Sequence, residues 1–383
     1  MRLLMIEQGG RGGVADYTQQ LTRALAAEGV QVVLASAEDH LYEPAPGVEV
    51  RAVFHYVRGR TRLARLARRL RLGPLVNGLR FLPAIPRLVR LARGCDLAHS
   101  QGWESMPLGA LAIAVLRLAG VRVGQTSHNT FWRGRQLRRT AAWLARLTAF
   151  TIVHTQADVP RVPGAAAARV AVIPHGEYGP LAQRGGLADR DAARASLGIA
   201  PDAPVTLLFG QLRLDKGLGD VLTALARVPA LQLLVGGREE GALAAESARL
   251  RDPRLAARVT VREGFLDMRQ AAELFAAADT VVLPYAQASQ SGVLLLAYGF
   301  HRPVVVYPVG GLVEAVIDGQ TGWICARADA GALADALEDA ARAGWPECRR
   351  RGEAGAVLAA ERFSWPEIAR RTIDVYRRAL GGA

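Results

Sequence analysis

Lys216 is the single lysine in a chain that carries 47 arginines. It stands in Gly210-Gln211-Leu212-Arg213-Leu214-Asp215-Lys216-Gly217, directly after the apolar run Val205–Phe209 and before a helical pattern that begins near Leu218. An arginine grips two phosphate oxygens at once and a lysine adds a compact point charge. Arg213 and Lys216 together therefore suit a diphosphate and the charge that develops on it as a leaving group; the alternative is a surface charge at a helix start. Gly9-Gly10-Arg11-Gly12-Gly13-Val14 occupies the equivalent place near the start, after Leu3–Ile6 and before a helix reaching about Glu28. There Gly12 and Gly13 allow close approach to amides at a positive helix end, although a plain tight turn would use the same residues. A third turn, Ser289-Gln290-Ser291-Gly292-Val293, opens a helix through Tyr298 and is followed by the strand Pro303–Val306 and by Gly310-Gly311. Its amides suit a ligand as well as a serine N-cap. Three such turns after strands favour the ligand role.

Two series of short, largely β-branched runs must position these turns. Leu3–Ile6, Val30–Ala35, Ala52–Val57, Leu97–Ser100, Val121–Ser127 and Thr151–Thr155 form the first. Val170–Ile173, Val205–Phe209, Leu231–Val235, Val259–Val261, Thr280–Leu283 and Val304–Tyr307 form the second. Strands alternating with helical stretches predict two α/β domains with mainly parallel sheets, and 383 residues suffice for two cores. The Gly-, Ala-, Asp- and Pro-rich stretch from about Gly179 to Pro204 reads as a linker with the opening helix of the next domain. The expected division is 1–180, a linker at 181–203, a second domain at 204–362 and a final helix at 363–383. Met1–Gly10 reads as a first strand and not as a cleaved leader, and Met106–Val123 as a buried helix and not a membrane span. Three scattered cysteines, Cys95, Cys325 and Cys348, suit neither zinc nor a disulfide framework and fit a reducing cytoplasm. No His/Cys/Asp cluster has metal-ligand spacing, so no metal is expected; a Gly-x-Ser-x-Gly turn and a Walker lysine loop are also missing.

Charge is concentrated. The segment Arg51–Arg93 holds twelve arginines and no Asp or Glu, against a formal charge of +13 for the whole chain. Leu63, Leu66 and Leu70 recur at helical spacing among Arg62, Arg65, Arg68 and Arg69, the pattern of a basic amphipathic helix. An anionic membrane surface suits it. A solvated face in an arginine-rich chain is the competing reading, and nucleic acid is disfavoured because interleaved aromatics and nucleic-acid-binding signatures are missing.

Several of these residues fall in an order that resembles the GT-B glycosyltransferases of group 1, also called family 4. Gly12-Gly13-Val14-Ala15-Asp16-Tyr17, Asp96 with His99, His128-Asn129, Val153-His154-Thr155, Ile173-Pro174-His175-Gly176, the Arg213–Gly217 loop, and glycines 310, 311, 319 and 322 carry the likeness nearly end to end. Phe363-Ser364-Trp365 to Tyr376 resembles the helix that in this fold returns toward the first domain. The resemblance implies two Rossmann-like domains facing a central cleft that closes to exclude water, and transfer of a hexose from a UDP- or GDP-sugar to a glycan or polyprenol-linked acceptor. It implies retention of configuration and no cofactor or metal, and the arginine cluster extends the expectation to cell-surface polysaccharide at the inner face of the membrane. It also implies that Gly12 and Gly13 approach donor phosphates or acceptor, that Arg213 and Lys216 hold the diphosphate, and that His128 lies near the transferring sugar. Many members carry two glutamates separated by seven residues, and here Ala288 and Leu296 occupy those places. A branch of the family has Gln-Ser-Gly-Val at this turn, which makes Gln290, Ser291, Gly292 and Val293 donor contacts, chiefly through backbone amides. Gln211 stands where a positive charge is common, with Arg213 two residues away to compensate. A non-catalytic subunit of a membrane glycan assembly and a nucleotide-sugar epimerase are the alternative readings.

Overall fold

The computed structural model describes residues 1–56, 69, 72–103, 106–131, 135–164, 166–186 and 188–381. The chain forms two compact units, Met1–Gly176 together with Trp365–Ala383, and Glu177–Ser364. The first contains a parallel sheet of β1 (Arg2–Ile6), β2 (Gln31–Ala37), β3 (Val48–Phe54), β4 (Leu97–Ser100), β5 (Val123–Thr126), β6 (Thr151–Val153) and β7 (Val170–Val172), ordered β3-β2-β1-β4-β5-β6-β7. Strands buried on both faces need apolar residues throughout, and alternate residues of β1 show the two faces. Leu3 and Met5 pack with the helix Gly13–Ala27 and with Ile368, Ile373 and Tyr376 of the last helix, Trp365–Leu380. Leu4 and Ile6 pack on the other side with Leu88 and Ile113, from the helices Ala84–Ala92 and Met106–Leu118.

The second unit repeats the scheme with β8 (Val205–Phe209), β10 (Gln232–Gly237), β12 (Val259–Glu263), β13 (Thr280–Leu283), β14 (Val304–Val306) and β15 (Gly322–Ile324), ordered β12-β10-β8-β13-β14-β15. Two short strands, β9 (Leu212–Arg213) and β11 (Glu239–Glu240), pair beside it. In each sheet successive strands run outward from the centre in one direction and then in the other. The order reverses between β1 and β4 in the first unit and between β8 and β13 in the second. Doubly wound sheets open a crevice for ligands beyond the strand C-termini at that reversal.

Three expectations change. Val170–Val172, read as the opening of the second series, is an edge strand of the first sheet paired with β6. The stretch 181–203 is not an unstructured connection: it carries the end of the helix Gly179–Gly185 and all of Arg190–Ser196, and Ala182, Ala193 and Ile199 enter the second unit's core. Asp189 caps the second of these helices by accepting from the Ala192 N–H, while buried Arg194 donates to the carbonyls of Ala200, Pro201 and Ala203 and to Asp279. A composition rich in turn formers hid an arginine that ties the whole segment down. The helix Trp365–Leu380, expected to begin at 363, belongs to the first unit. Of the membrane-directed arginines, Arg62, Arg65 and Arg68 lie outside the described residues, and Arg69 is exposed. Among the described residues no helix is long and apolar enough to cross a membrane.

Candidate functional site

At the reversal point of the second sheet, the turn after β8 and the turn after β13 are stitched together. The Ala286 N–H donates to the Asp215 carbonyl at 3.1 Å. Gly217 has φ +76°, and a Cβ there would lie 2.2 Å from the Pro284 carbonyl, so only glycine lets the two chains meet. The contact seats Lys216 with its ammonium 3.5 Å above the centre of the buried Tyr285 ring. A cation over an aromatic face gains about 0.5–2 kcal/mol, which orients the amine without neutralising it. Burial, and secondarily Arg213, lower the Lys216 pKa from 10.5 to about 8, so the amine is still charged at neutral pH. Ser291 caps the helix Gly292–Gly299 by accepting from Leu294 N–H at 3.3 Å. Val293 faces Gly210 across 3.3 Å from where a Cβ would stand, bringing the Gln290–Val293 turn beside the Gly210–Gly217 loop.

Arg213 is hydrogen-bonded within its own loop. Its Nε and one Nη each donate to a different oxygen of Asp215 at 2.8 Å, and its other Nη donates to Gln211 at 3.3 Å. This two-pronged pair raises the Arg213 pKa and lowers that of Asp215, each through hydrogen bonding to the other first. A residue two positions along the chain thus fills the fork that a phosphate would take.

In the first unit the glycine-rich turn is anchored by Glu7, at the end of β1. Its carboxylate is 4% exposed and accepts from Gly9 N–H at 2.7 Å, Gly10 N–H at 2.6 Å, the Tyr42 hydroxyl at 2.6 Å and the Ser36 hydroxyl at 3.3 Å. Burial, then the Glu7 charge, pushes the Tyr42 pKa up, and the same two causes raise that of Asp16. Gly12 has φ +82°, and nothing lies within 4 Å of a Cβ built on Gly12 or Gly13, which leaves space beside the turn. The turn borders a cavity of about 430 Å³ at the β1/β4 reversal point, lined also by Gln101, Trp103, Gln125, His128 and Asn129.

His128 heads a chain of hydrogen bonds. The His154 Nδ1 donates to the Ile173 carbonyl at 3.0 Å. The His154 Nε2 and the His128 Nδ1 lie 3.0 Å apart. The His128 Nε2 lies 3.0 Å from Gln101 Oε1, and the Gln101 Nε2 donates to Met5 Sδ at 3.1 Å. Burial, followed by the fields of His154, His175 and His99, holds His128 well below its usual pKa, and burial also lowers His154. His99, between the Tyr376 hydroxyl at 2.6 Å and the Thr126 hydroxyl at 2.8 Å, and His175, which donates to the Gly176 carbonyl at 2.9 Å, are both pushed down to about 3 by burial. Tyr17 packs its ring against His128, His154, His175 and Trp365. The arrangement makes His128 a neutral hydrogen-bonding group with one exchangeable bond, that to Gln101.

Of the residues singled out from sequence, Arg213, Lys216, Gln290, Ser291, Gly292 and Val293 lie in the second unit, while His128 lines the first unit's cavity and Gly12 and Gly13 stand in the chain between its lining residues Arg11 and Val14. Glu7, Tyr285 and Asp215 were missed as functional supports. Glu7 had a signal, a carboxylate ending an apolar strand before Gly-Gly, and so did Asp215, two residues from Arg213. Tyr285 had none. Among the described residues no group of three or more His, Cys, Asp and Glu is arranged to hold a metal ion. Asp189 and Asp191 have Asp-x-Asp spacing, but the first is a helix cap and the second pairs with Arg190 at 3.5 Å.

Residues 11–176 match the family described as Glycosyltransferase Family 4, and residues 203–343 that described as Glycosyl transferases group 1. D-inositol 3-phosphate glycosyltransferases of Mycobacterium tuberculosis and Mycobacterium bovis are 30% identical to this chain over 414 residues, covering 97% of it and 80% of their own length. Among solved structures, a sucrose-phosphate synthase from Thermosynechococcus elongatus matches with a TM-score of 0.78 at 23% identity, covering 100% of this chain and 99% of that one. Anabaena HepE in complex with UDP and glucose matches with a TM-score of 0.77 at 20% identity, covering 99% and 100%.

Proposed function

The chain belongs to the group 1, family 4 glycosyltransferases with the GT-B fold, and from that premise we propose that it moves a hexose from a UDP- or GDP-sugar to a glycan or lipid-linked acceptor with retention of configuration. The observation that carries the proposal is Lys216. An amine kept charged but partly desolvated, at a sheet reversal point and beside the glycine-containing turn Gln290–Val293, is suited to a diphosphate that gains charge as it leaves. The HepE structures hold UDP, UDP-glucose, or UDP with glucose, which supports a uridine diphosphate donor. In this reading the second unit grips the nucleotide diphosphate through Lys216 and backbone amides near Gly292 and Val293, and no metal takes part.

The acceptor enters the first unit's cavity. The bond from the anomeric carbon to the diphosphate oxygen breaks, an acceptor hydroxyl oxygen takes its place, and the hydroxyl proton is released. His128 meets the sugar as a neutral hydrogen-bonding group, exchanging its Gln101 bond for a sugar hydroxyl. The curated relatives are named for an inositol phosphate. In this chain Arg11 is the one cation among the described cavity-lining residues, and it is paired with Asp39 at 3.3 Å, which favours an uncharged acceptor group. Assembly of a cell-surface polysaccharide at the inner face of the membrane is the setting that suits the basic segment Arg51–Arg93.

Calorimetric binding and turnover with UDP-, GDP-, ADP- and dTDP-hexoses test the reading, with the product's anomeric configuration read by NMR. One donor is expected to bind and transfer, and Lys216→Ala is expected to lose about 30-fold or more in kcat/KM, the cost of removing a charge-assisted contact. Binding of no donor by a folded wild-type chain, or unchanged turnover in Lys216→Ala, would sink it.

A further inference from the structure

The helix Gly73–Phe81 faces two ways. On one side Phe81 is 3% exposed and packs on Phe54 at 5.7 Å and edge-on against Trp103 at 6.2 Å between ring centres. On the other, Leu72, Leu75, Leu79 and Leu82, spaced three, four and three residues apart, form one stripe that the fold leaves in water. Leu75 and Leu79 are each 61% exposed. Four leucines on one face, with nothing among the described residues packed over them, cost far more than scattered surface leucines and mark a docking surface.

Charge says what covers them. Arg69 and Arg80 flank the stripe, and Arg87 and Arg90 lie exposed on the next helix, Ala84–Ala92. Among the described residues no carboxylate pairs with Arg80, Arg87 or Arg90; Arg80 and Arg87 donate only to the backbone carbonyls of His55 and Val53. The sequence has no Asp or Glu between Glu49 and Asp96. An apolar stripe in a field of unpaired arginines matches an anionic lipid surface, where leucine enters the acyl boundary and guanidinium meets phosphate.

We propose that the helix Gly73–Phe81 inserts its Leu72–Leu82 stripe into an anionic phospholipid surface and so holds the first unit's cavity next to that surface. Trp103, the partner of Phe81, lines the cavity. One aromatic layer therefore separates the lipid-facing leucines from the place where a lipid-linked acceptor would arrive. The inference rests on the membrane-side acceptor proposed above for its purpose, but not for its test.

Flotation of the full chain with vesicles of phosphatidylcholine alone and of phosphatidylcholine with 30% phosphatidylglycerol is the experiment, in low and high salt, with near-UV circular dichroism as the folding control. Wild type is expected to float with the anionic vesicles only. Leu75→Ser and Leu79→Ser should each lower partitioning about tenfold, since burying a half-exposed leucine in lipid is worth roughly that much. Arg80→Gln and Arg90→Gln should each cost about fivefold at low salt and little at high salt. Val357→Ser, an exposed apolar residue of the second unit, should change nothing. The inference is overturned if wild type ignores anionic vesicles, or if the folded leucine variants float like wild type. It is equally overturned if those variants change only the sedimentation coefficient, because the stripe then joins copies of the chain. Failure of every donor sugar to react would remove the proposed function and leave vesicle binding to stand or fall alone.

Discussion

Acidification to pH 5 should destabilise the first unit selectively, and the magnitude follows from two buried histidines. His99 is fully buried and His175 is 9% exposed, and burial pushes each down to about 3 from 6.5. An unfolded histidine takes up a proton below pH 6.5, whereas the folded ring does not until about pH 3. The stabilisation is therefore complete above pH 6.5 and is lost progressively as pH falls from 6.5 toward 3. At pH 5 the loss per histidine is set by the 1.5 units between 5 and the unfolded value, about 2 kcal/mol, and hardly depends on how far below 4 the folded value lies. Two histidines give about 4 kcal/mol, a large part of a typical domain stability of about 5–15 kcal/mol. His128 and His154, also lowered, act in the same direction, while Asp16, whose carboxyl burial raises, opposes them.

Amide hydrogen exchange read by mass spectrometry at pH 7.5 and 5.0, corrected for intrinsic rates, resolves the two units. Peptides from β4, β5 and β6 should lose about a thousandfold in protection, the equivalent of about 4 kcal/mol. Peptides from β8, β13 and β14 should change much less, because the second unit's histidine, His301, is exposed. His99→Gln, which removes one titrating ring, should cut the loss to about thirtyfold. Equal changes in both units, or protection in β4–β6 that is independent of pH, would refute the reasoning.

The Lys216 amine, with a pKa of about 8, should impose its own profile on donor use. The kcat/KM for the donor should be level below pH 8 and fall about tenfold per pH unit above it, and Lys216→Arg, whose charge persists, should remove that limb; a profile shared by both proteins would assign the limb elsewhere. Glu7→Gln places an NH₂ against the Gly9 or Gly10 N–H that the carboxylate now accepts. It should cost the first unit about 2–3 kcal/mol in urea unfolding and raise the acceptor KM, and a neutral effect would show that the turn holds its shape without this anchor.

Local pattern made the strands and the glycine turns legible, because a doubly buried parallel strand must be apolar throughout and a close chain approach must use glycine. Gly217 against the Pro284 carbonyl is such a case. Tyr285 beneath Lys216 was not legible, since the pair forms only when residues 69 positions apart meet at a sheet reversal. The relay from Ile173 through His154 to His128 is hidden for the same reason, spanning steps of 19 and 26 residues. The packing of the stretch 181–203 was not legible either, since the five described bonds of Arg194 to the carbonyls of Ala277, Ala200, Pro201 and Ala203 and to Asp279 cannot be seen in composition.

The second unit departs from the family pattern at Ala288 and Leu296. Leu296, where many members have a carboxylate, is 6% exposed inside the apolar cluster of Leu294, Leu295 and Tyr298, a place where an ionised group would need a partner that the cluster does not supply. Ala288, at the other such position, is 7% exposed and works through its backbone, its carbonyl accepting from Gly311 N–H at 3.4 Å and lying 1.8 Å from where a Gly310 Cβ would stand. The first N–H groups of a helix have no intrahelical partner, and Ser291 takes only that of Leu294, so Gly292 and Val293 keep donors for an anion. Arg213 is paired with Asp215, and Lys216 rests over the Tyr285 ring. A chain that elsewhere uses arginine retains at this place an amine compact enough to sit over one aromatic ring.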